Sequence, residues 1–332
     1  MATQIKHLFS FGALADIQYA DRDDGHNFQR TKIRFYRNAE NLLKDALAEW
    51  KKRQPSVTFV LQLGDLIDGV NKRTNNSEAA LNRMLAIFQD LPVPTYPIIG
   101  NHDLYNFQHS DLIQSALFDS VRKLPQNNSD TLQDGRTCYD INEPSGYYSF
   151  EPCSQYRIIC LDCYDFGVPG QHVDSPQYLI AKEILLQNNS NNDLNSPEGL
   201  HGCQRRFVQY NGGVGEKQLQ WLRKELQLAE SKDQKVIVCG HNPIFVESSD
   251  PQCLCWNYEE ILDILHSHNN VVMYMCGHDH DGGYAIDKHG IHHVTFPGII
   301  ETPPELNAYV TIDVFTDRIE MCGLGCVETI FV

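Results

Sequence analysis

The 332-residue chain is short of positive charge and lacks any long apolar run. Lys and Arg number 27 against 43 Asp and Glu, a formal net charge of −16 at pH 7. A protein of that sign repels polyanions, so nucleic-acid polymers and anionic membrane surfaces are poor partners unless a basic patch or bound cations reverse the field locally. No apolar stretch approaches the roughly 18 residues of a membrane span. The opening run up to Ala15 contains Ser10 and Gly12 and leads straight into Asp16, so it reads as a first buried strand, not as a secretory leader. Internal repeats and a linker between two folding units are also missing. Hydrophobic residues at 42% and charged residues at 21% sit near globular values, which excludes collagen, coiled coil and disorder. The 11 cysteines are odd in number, in a chain far larger than a disulfide mini-protein. Free thiols and a reducing, cytoplasmic location are expected. Cys160-Leu-Asp-Cys163 has CxxC spacing but reads as strand, where i and i+3 face opposite sides, so one zinc or one disulfide is not expected there.

What is present is an alternation of short apolar runs with longer amphipathic segments. Strands are predicted at 8–16, 57–63, 95–99, 147–150, 157–161, 235–239, 271–276, 283–286, 292–295, 309–314 and 319–321. Helices are predicted at 34–52, 77–91, 111–120, 177–187, 216–231 and 258–266. Parallel βαβ units in the first half and short antiparallel strands at the end predict a layered α/β sandwich. The polar stretch 188–199 reads as a surface loop, inside a segment of about 164–213 that interrupts the rhythm. The chain is read as one domain, 1–332, with that segment as an insertion.

Five short motifs follow predicted strands, where open α/β sheets place their ligands. They are Asp16-Ile-Gln18, Gly64-Asp65-Leu-Ile-Asp68-Gly69, Gly100-Asn101-His102-Asp103, Gly240-His241-Asn242 and Gly277-His278-Asp279-His280. Singly, each has an ordinary explanation, since Asp after a strand caps turns and Gly-Asn and Gly-Asp are turn dipeptides. Together they supply carboxylates, amides and imidazoles at successive strand ends. That donor mixture suits Mn, Fe or Zn better than Ca or Cu(I).

The ordered set resembles the calcineurin-like metallophosphoesterase superfamily, with its blocks D-x-H, G-D-x-x-D, G-N-H-[DE], a strand-ending His, and G-H-x-H. The resemblance runs from Asp16 to His280. It implies a four-layer αββα sandwich with mixed sheets and two divalent metal ions. Asp16, Gln18, Asp65 and His280 would hold one ion; Asp65, Asn101, His241 and His278 would hold the other. It further implies hydroxide attack on phosphorus. His102 would neutralise or protonate at the phosphoryl group, and Asp68 would orient it. Gln18 departs from the usual His of the first block, yet its carbonyl oxygen can still ligate. This variant resembles a Mn²⁺-dependent subgroup that hydrolyses the diphosphates of ADP-ribose and of CDP-alcohols such as CDP-choline and CDP-glycerol. Zn²⁺ or Fe would fit the same ligands. Protein phosphatases of the superfamily carry Arg after the Asp68 position; Gly69 stands there instead.

Local metal charge would let an acidic chain bind small nucleotide diphosphates. The expected state is a monomer with neither nucleic-acid polymer nor membrane as partner. Base and sugar need an apolar slot, for which Phe35, Tyr36, Tyr105, Phe107, Leu200 and Cys253 are candidates. Phe35, placed on a helix, reads as core more readily than as a stacking platform. Arg30, Arg34 and Arg37 are candidates for the second phosphate, and the insertion around 194–207 for a specificity loop. The alternatives are a cyclic-nucleotide phosphodiesterase or phosphomonoesterase of the same superfamily, and a non-catalytic binding scaffold on the same fold.

Overall fold

A computed structural model describes residues 5–27, 29–124 and 144–332. Two six-stranded mixed sheets form the centre. The first runs Ile330–Phe331, Ile319–Gly325, Ala308–Phe315, His7–Leu14, Val60–Gln62, Thr95–Pro97. His7–Leu14 pairs antiparallel with Ala308–Phe315 (Phe11 opposite Ile312) and parallel with Val60–Gln62 (Gly12 opposite Val60). The second runs Gly283–Ile286, His292–Thr295, Val271–Cys276, Lys235–Cys239, Tyr156–Cys160, Tyr148–Cys153. Its four inner strands are parallel and its two edges antiparallel.

Alternation along the strands packs the sheets face to face. Phe9 lies against Tyr156 at 5.7 Å between ring centroids, Phe59 against Phe150 at 5.1 Å and Tyr96 against Phe150 at 4.2 Å. Such aromatic pairs each add about 1 kcal/mol beyond the area they bury. The other face of the first sheet is covered by the helix Asn38–Lys52, which buries Ala39, Leu42, Leu43, Ala46, Leu47 and Trp50 at helical spacing. The Trp50 indole N–H donates to Thr311 Oγ1 at 3.0 Å. The helix Glu216–Ser231 covers the second sheet in the same way through Leu219, Leu222, Leu226 and Ala229. The order of layers is therefore helix, sheet, sheet, helix.

Two predicted helices change. The one expected from residue 34 starts at Asn38, because Ile33–Arg34 pairs with Gly25–His26 and the Phe35 N–H donates to Ile300 O at 2.8 Å. The one expected at 111–120 is broken at Ser115. That residue is extended (ψ 173°), and its hydroxyl accepts from Leu117 N, so His109–Gln114 ends and a new turn begins. The strand holding Cys160 stops there, so the opposite-faces argument does not reach Cys163. The ten described cysteines are nevertheless all free thiols, and Cys138 lies outside the described residues. Residues 164–213 carry the helix Pro176–Asn188, a two-residue strand pair, and a small core of Ala181, Leu185, Leu194 and Phe207 with Trp256. Among the described residues no helix is long and apolar enough to cross a membrane.

The second sheet buries one full charge. Arg157 is wholly inaccessible and donates to Glu225 Oε2 at 2.7 Å, Glu151 Oε1 at 2.5 Å and Gln234 Oε1 at 3.2 Å. Removing one partner of a buried pair strands the other charge in a poor solvent. Glu225→Ala is expected to lower unfolding stability by about 3 kcal/mol, the lower end of the range for such losses because Glu151 remains. Urea titration would read this as a lower midpoint at unchanged slope, and an unchanged midpoint would contradict it.

Candidate metal centre

The site forms where the backbone ladder runs past the ends of the strands. Asp16 N donates to Gly64 O at 3.1 Å and Gln18 N to Asp65 O at 2.9 Å, so the loops after His7–Leu14 and Val60–Gln62 travel side by side. Gly277 N donates to His241 O at 3.1 Å, which joins the two His motifs likewise. Four site residues are turned into the left-handed region: Asp16 (φ 52°), Gln18 (45°), Asp65 (57°) and His278 (70°). For residues with a Cβ this conformation is strained, and such strain concentrates at functional sites. Two motif glycines are explained by close approach. A Cβ on Gly100 would run into the Asp65 carboxylate, and one on Gly277 into that of Asp16.

The structure brings Asp16, Gln18, Asp65, Asn101, His241, His278 and His280 together. Asp16, Asp65 and His241 are buried, and each offers one ligand atom within 4.8 Å of the others, the metal-competent cluster found among the described residues. His280 Nε2 lies 3.2 Å from Asp16 Oδ1, and His241 Nε2 lies 3.6 Å from Asp65 Oδ2 and 3.3 Å from Asn101 Oδ1. His241 Nδ1 faces Leu63 O at 2.8 Å. A carbonyl only accepts, so Nδ1 carries a hydrogen and Nε2 is the nitrogen that faces the cluster. The Asn101 amide is oriented too, its Nδ2 donating to Tyr105 Oη at 3.2 Å while Oδ1 faces His241. His278 donates its backbone N–H to Asp16 Oδ2 at 2.9 Å, and its Nε2 lies 2.7 Å from Asn211 Oδ1.

These groups fit a cation. Gln18 Oε1 is buried without a hydrogen-bond partner, while the other end of its amide faces Asp65 Oδ2 (3.0 Å), His280 Nε2 (3.0 Å) and Asp16 Oδ1 (3.4 Å). Which end is oxygen is set by the charge between those atoms. Without a cation the NH₂ group faces the carboxylates; a half-turn of the amide would offer the carbonyl oxygen to a bound ion. Protonated imidazoles take the cation's place electrostatically. Burial works against the charge on His241, but Asp65 and then Asp16 raise it to about 10. Burial likewise opposes His280, yet Asp16 and Glu301 raise it to about 9. Burial and then the charge on His241 hold His278 well below the usual histidine range. Against the cost of burial, His280 holds Asp16, and His241 holds Asp65, below the ordinary carboxylate value.

His102 stands beside this cluster. Its Nδ1 lies 3.1 Å from Asp68 Oδ2 and 3.2 Å from Gly69 N, and its backbone N–H donates to Asp65 Oδ1 at 2.7 Å. Arg34 bridges what lies behind: Nη1 to Asp68 Oδ2 at 3.4 Å and Nε to Glu301 Oε1 at 3.3 Å, with Glu301 Oε1 also 3.0 Å from His280 Nδ1. Arg34 is thus already paired with two carboxylates. Arg37 pairs with Asp21 and Asp23 at the surface, Arg30 is exposed, and Tyr36 belongs to a small core under Arg22. Phe35 lies ahead of the helix and half-buried, which corrects its placement on a helical face. Tyr105 packs edge-on to His102 at 5.2 Å. Leu200 and Cys253 are half-buried in flanking loops, and the Cys253 thiol is pushed up by burial and then by the charges of Asp279, Asp250 and Asp16.

Four contributors escaped the sequence reading. Asp103 accepts from the backbone N–H groups of Asp65, Leu66, Ile67 and Gly100, at 2.9 to 3.3 Å, and so shapes the loop that carries Asp65. It stands in the third motif, and that position was its only signal. Glu301, Asn211 and Tyr210, whose ring lies 5.9 Å from that of His278, carry no local pattern.

The geometry defines a metal-dependent phosphoesterase class, and comparison agrees. The model of the calcineurin-like phosphoesterase family matches residues 9–282, and the chain belongs to that family. A Xenopus tropicalis protein named manganese-dependent ADP-ribose/CDP-alcohol diphosphatase is 42% identical over 322 residues, 96% of this chain and 92% of that one. A Homo sapiens protein of the same name is 40% identical over 323 residues, 96% and 91% of the two chains. The crystal structure of a dimetal phosphatase from Danio rerio superposes with a TM-score of 0.91 at 39% identity, covering 98% of this chain and 99% of that one.

A cation must displace the protons on His241 and His280, whose values without metal are about 10 and about 9. Below those values the imidazoles are charged and compete with the ion, so Mn²⁺ affinity is expected to rise with pH, less steeply above about 9, and to level above about 10. Calorimetry at pH 7.5 in buffers of different ionisation heat should register release of about two protons on loading. Uptake or no release would mean that the imidazoles are neutral before the ion arrives.

Proposed function

We propose that the chain is a Mn²⁺-dependent hydrolase that cleaves the diphosphate of ADP-ribose to AMP and ribose 5-phosphate, and of CDP-alcohols to CMP and a phosphoalcohol. The observation that carries this reading is the match, over nearly the whole of both chains, to relatives named for that activity. Gln18, in place of the superfamily's usual His, supports the same subgroup. In this reading Asp16, Gln18, Asp65 and His280 hold one ion, and Asp65, Asn101, His241 and His278 hold the second. Bound there, two divalent ions polarise phosphate oxygens and acidify water for attack on phosphorus.

The remaining work falls to the chain. The His102 N–H engages Asp65 Oδ1 and leaves Oδ2, the oxygen facing both Gln18 and His241, to serve the two halves of the site. Asp68 Oδ2 holds His102 at Nδ1, which leaves Nε2 as the atom to meet the phosphoryl group or protonate the leaving oxygen. That leaving group is itself a phosphate monoester of low basicity, so it needs only modest acid assistance. Arg34 acts by supporting His102 and His280 through Asp68 and Glu301. Phe35, Tyr105, Tyr210, Leu200 and Cys253 supply the walls for base and sugar. The reading takes the chain as one domain with an insertion at about 164–213, monomeric and cytoplasmic.

The test is a metal-by-substrate matrix. Protein loaded with Mn²⁺, but not metal-free protein, is expected to release AMP from ADP-ribose and CMP from CDP-choline. Asp65→Asn and His241→Ala should abolish turnover in folded protein. His102→Ala should lower kcat by about 10²–10⁴-fold while Mn²⁺ binding persists. Hydrolysis confined to cyclic AMP and p-nitrophenyl phosphate would discard the substrate assignment and keep the metal centre.

A further inference from the structure

Asn211 is fully buried where the segment 164–213 returns to the body of the fold. Its Nδ2 lies 2.8 Å from Arg206 O and 2.7 Å from Gln252 O. Both are backbone carbonyls, which only accept, so that end of the amide has to be the NH₂ group. Its other end, Oδ1, then faces His278 Nε2 at 2.7 Å and Asn242 Nδ2 at 3.3 Å. Asn242 Nδ2 also reaches Cys253 O at 3.3 Å, which fixes it as a donor. An amide oxygen cannot donate, so the hydrogen in the Asn211–His278 contact sits on His278 Nε2. A neutral imidazole carries one hydrogen, and its lone pair is then on Nδ1.

We propose that Asn211 is a positioning residue that locks His278 in the Nε2–H form, so that Nδ1 is the atom offered to a divalent cation. This rests on the reading of His278 as a metal ligand. The neighbouring imidazole is set the opposite way: His241 is held at Nδ1 by Leu63 O and offers Nε2. The two rings stand 5.0 Å apart at 62° and present different nitrogens. The His278 backbone is fixed by its left-handed turn and its bond to Asp16, but a ring can still rotate about its side-chain torsions. Asn211 removes that freedom. Two carbonyls anchor it, one from the turn Gly202–Arg206 and one from the turn Pro251–Cys253, so ring orientation is tied to the loops that flank the site.

Two measurements test this, neither depending on turnover. The first is Mn²⁺ titration of the metal-free full-length protein, with free ion counted by electron paramagnetic resonance. Asn211→Ala is expected to weaken one of the two ions by about 10–100-fold and leave the other near the wild-type value. His278→Ala, in parallel, should lose the same ion. If His278→Ala loses an ion and folded Asn211→Ala binds both as wild type does, the Asn211 inference falls and the ligand reading stands. If neither variant alters binding, the ligand reading falls and takes the inference with it. The second is nitrogen NMR of wild-type protein labelled at histidine, with His278 assigned by the signals absent from His278→Asn. A protonated Nε2 and an unprotonated Nδ1 are expected, and the reverse pattern overturns the proposal without any Asn211 variant having to fold.

Discussion

Two carboxylates that repel each other, Asp16 and Asp65, are buried side by side at the ends of adjacent parallel strands. Most of the site's construction answers that repulsion. Each carboxylate receives a backbone N–H from another motif, Asp16 from His278 and Asp65 from His102, so the motifs fold onto one another through the charges they must stabilise. Imidazoles flank both, and the Gln18 amide reaches across them. Without metal, these hydrogen bonds and the protonated imidazoles of His241 and His280 offset the cost of burying two anions in a poor solvent. Divalent ions would take over that role from the imidazole protons, and their charge would let a chain of net charge −16 accept a phosphate.

The sequence was most legible where chemistry follows chain order. Strand ends are marked by an apolar run that stops at Asp or Gly, and successive parallel strands end on the same side of a sheet. Asp16, Asp65 and Asn101 could therefore be expected to converge without any contact being known. The fold was legible for the same reason: short apolar runs such as 7–14, buried almost throughout, and helical spacing from Ala39 to Trp50 each act over a few residues. Outside that range lie contacts whose partners are distant in sequence. Glu301 reaches His280 and Arg34, and Asn211 reaches His278, from loops whose composition marks nothing. A helical pattern runs back through Phe35 and Arg34, but tertiary bonds to Ile300 and Glu301 hold them out of the helix.

Those tertiary bonds bear on how a diphosphate would be held. Arg34 looks, by type and position, like a clamp for the second phosphate. Its guanidinium is already shared between Asp68, behind His102, and Glu301, behind His280. The latter carboxyl is kept down at about 2, against the cost of burial, by His280, Arg34 and Lys32. Turning Arg34 toward a substrate would take one partner from each of two buried carboxylates, leaving Asp68 to His102 and Glu301 to His280 and Lys32. Lys32 is likewise paired with Asp281 and stands 3.8 Å from Glu301. Arg34 is therefore engaged with the carboxylates that stand behind His102 and His280. On the proposed reading, recognition of the phosphates would fall to the ions, and discrimination among diphosphates to the shape of the walls around them. Shape distinguishes hydroxyl and methylene differences only weakly. A site built this way should accept a family of nucleoside diphosphate compounds, as the proposed activity on both ADP-ribose and CDP-alcohols requires.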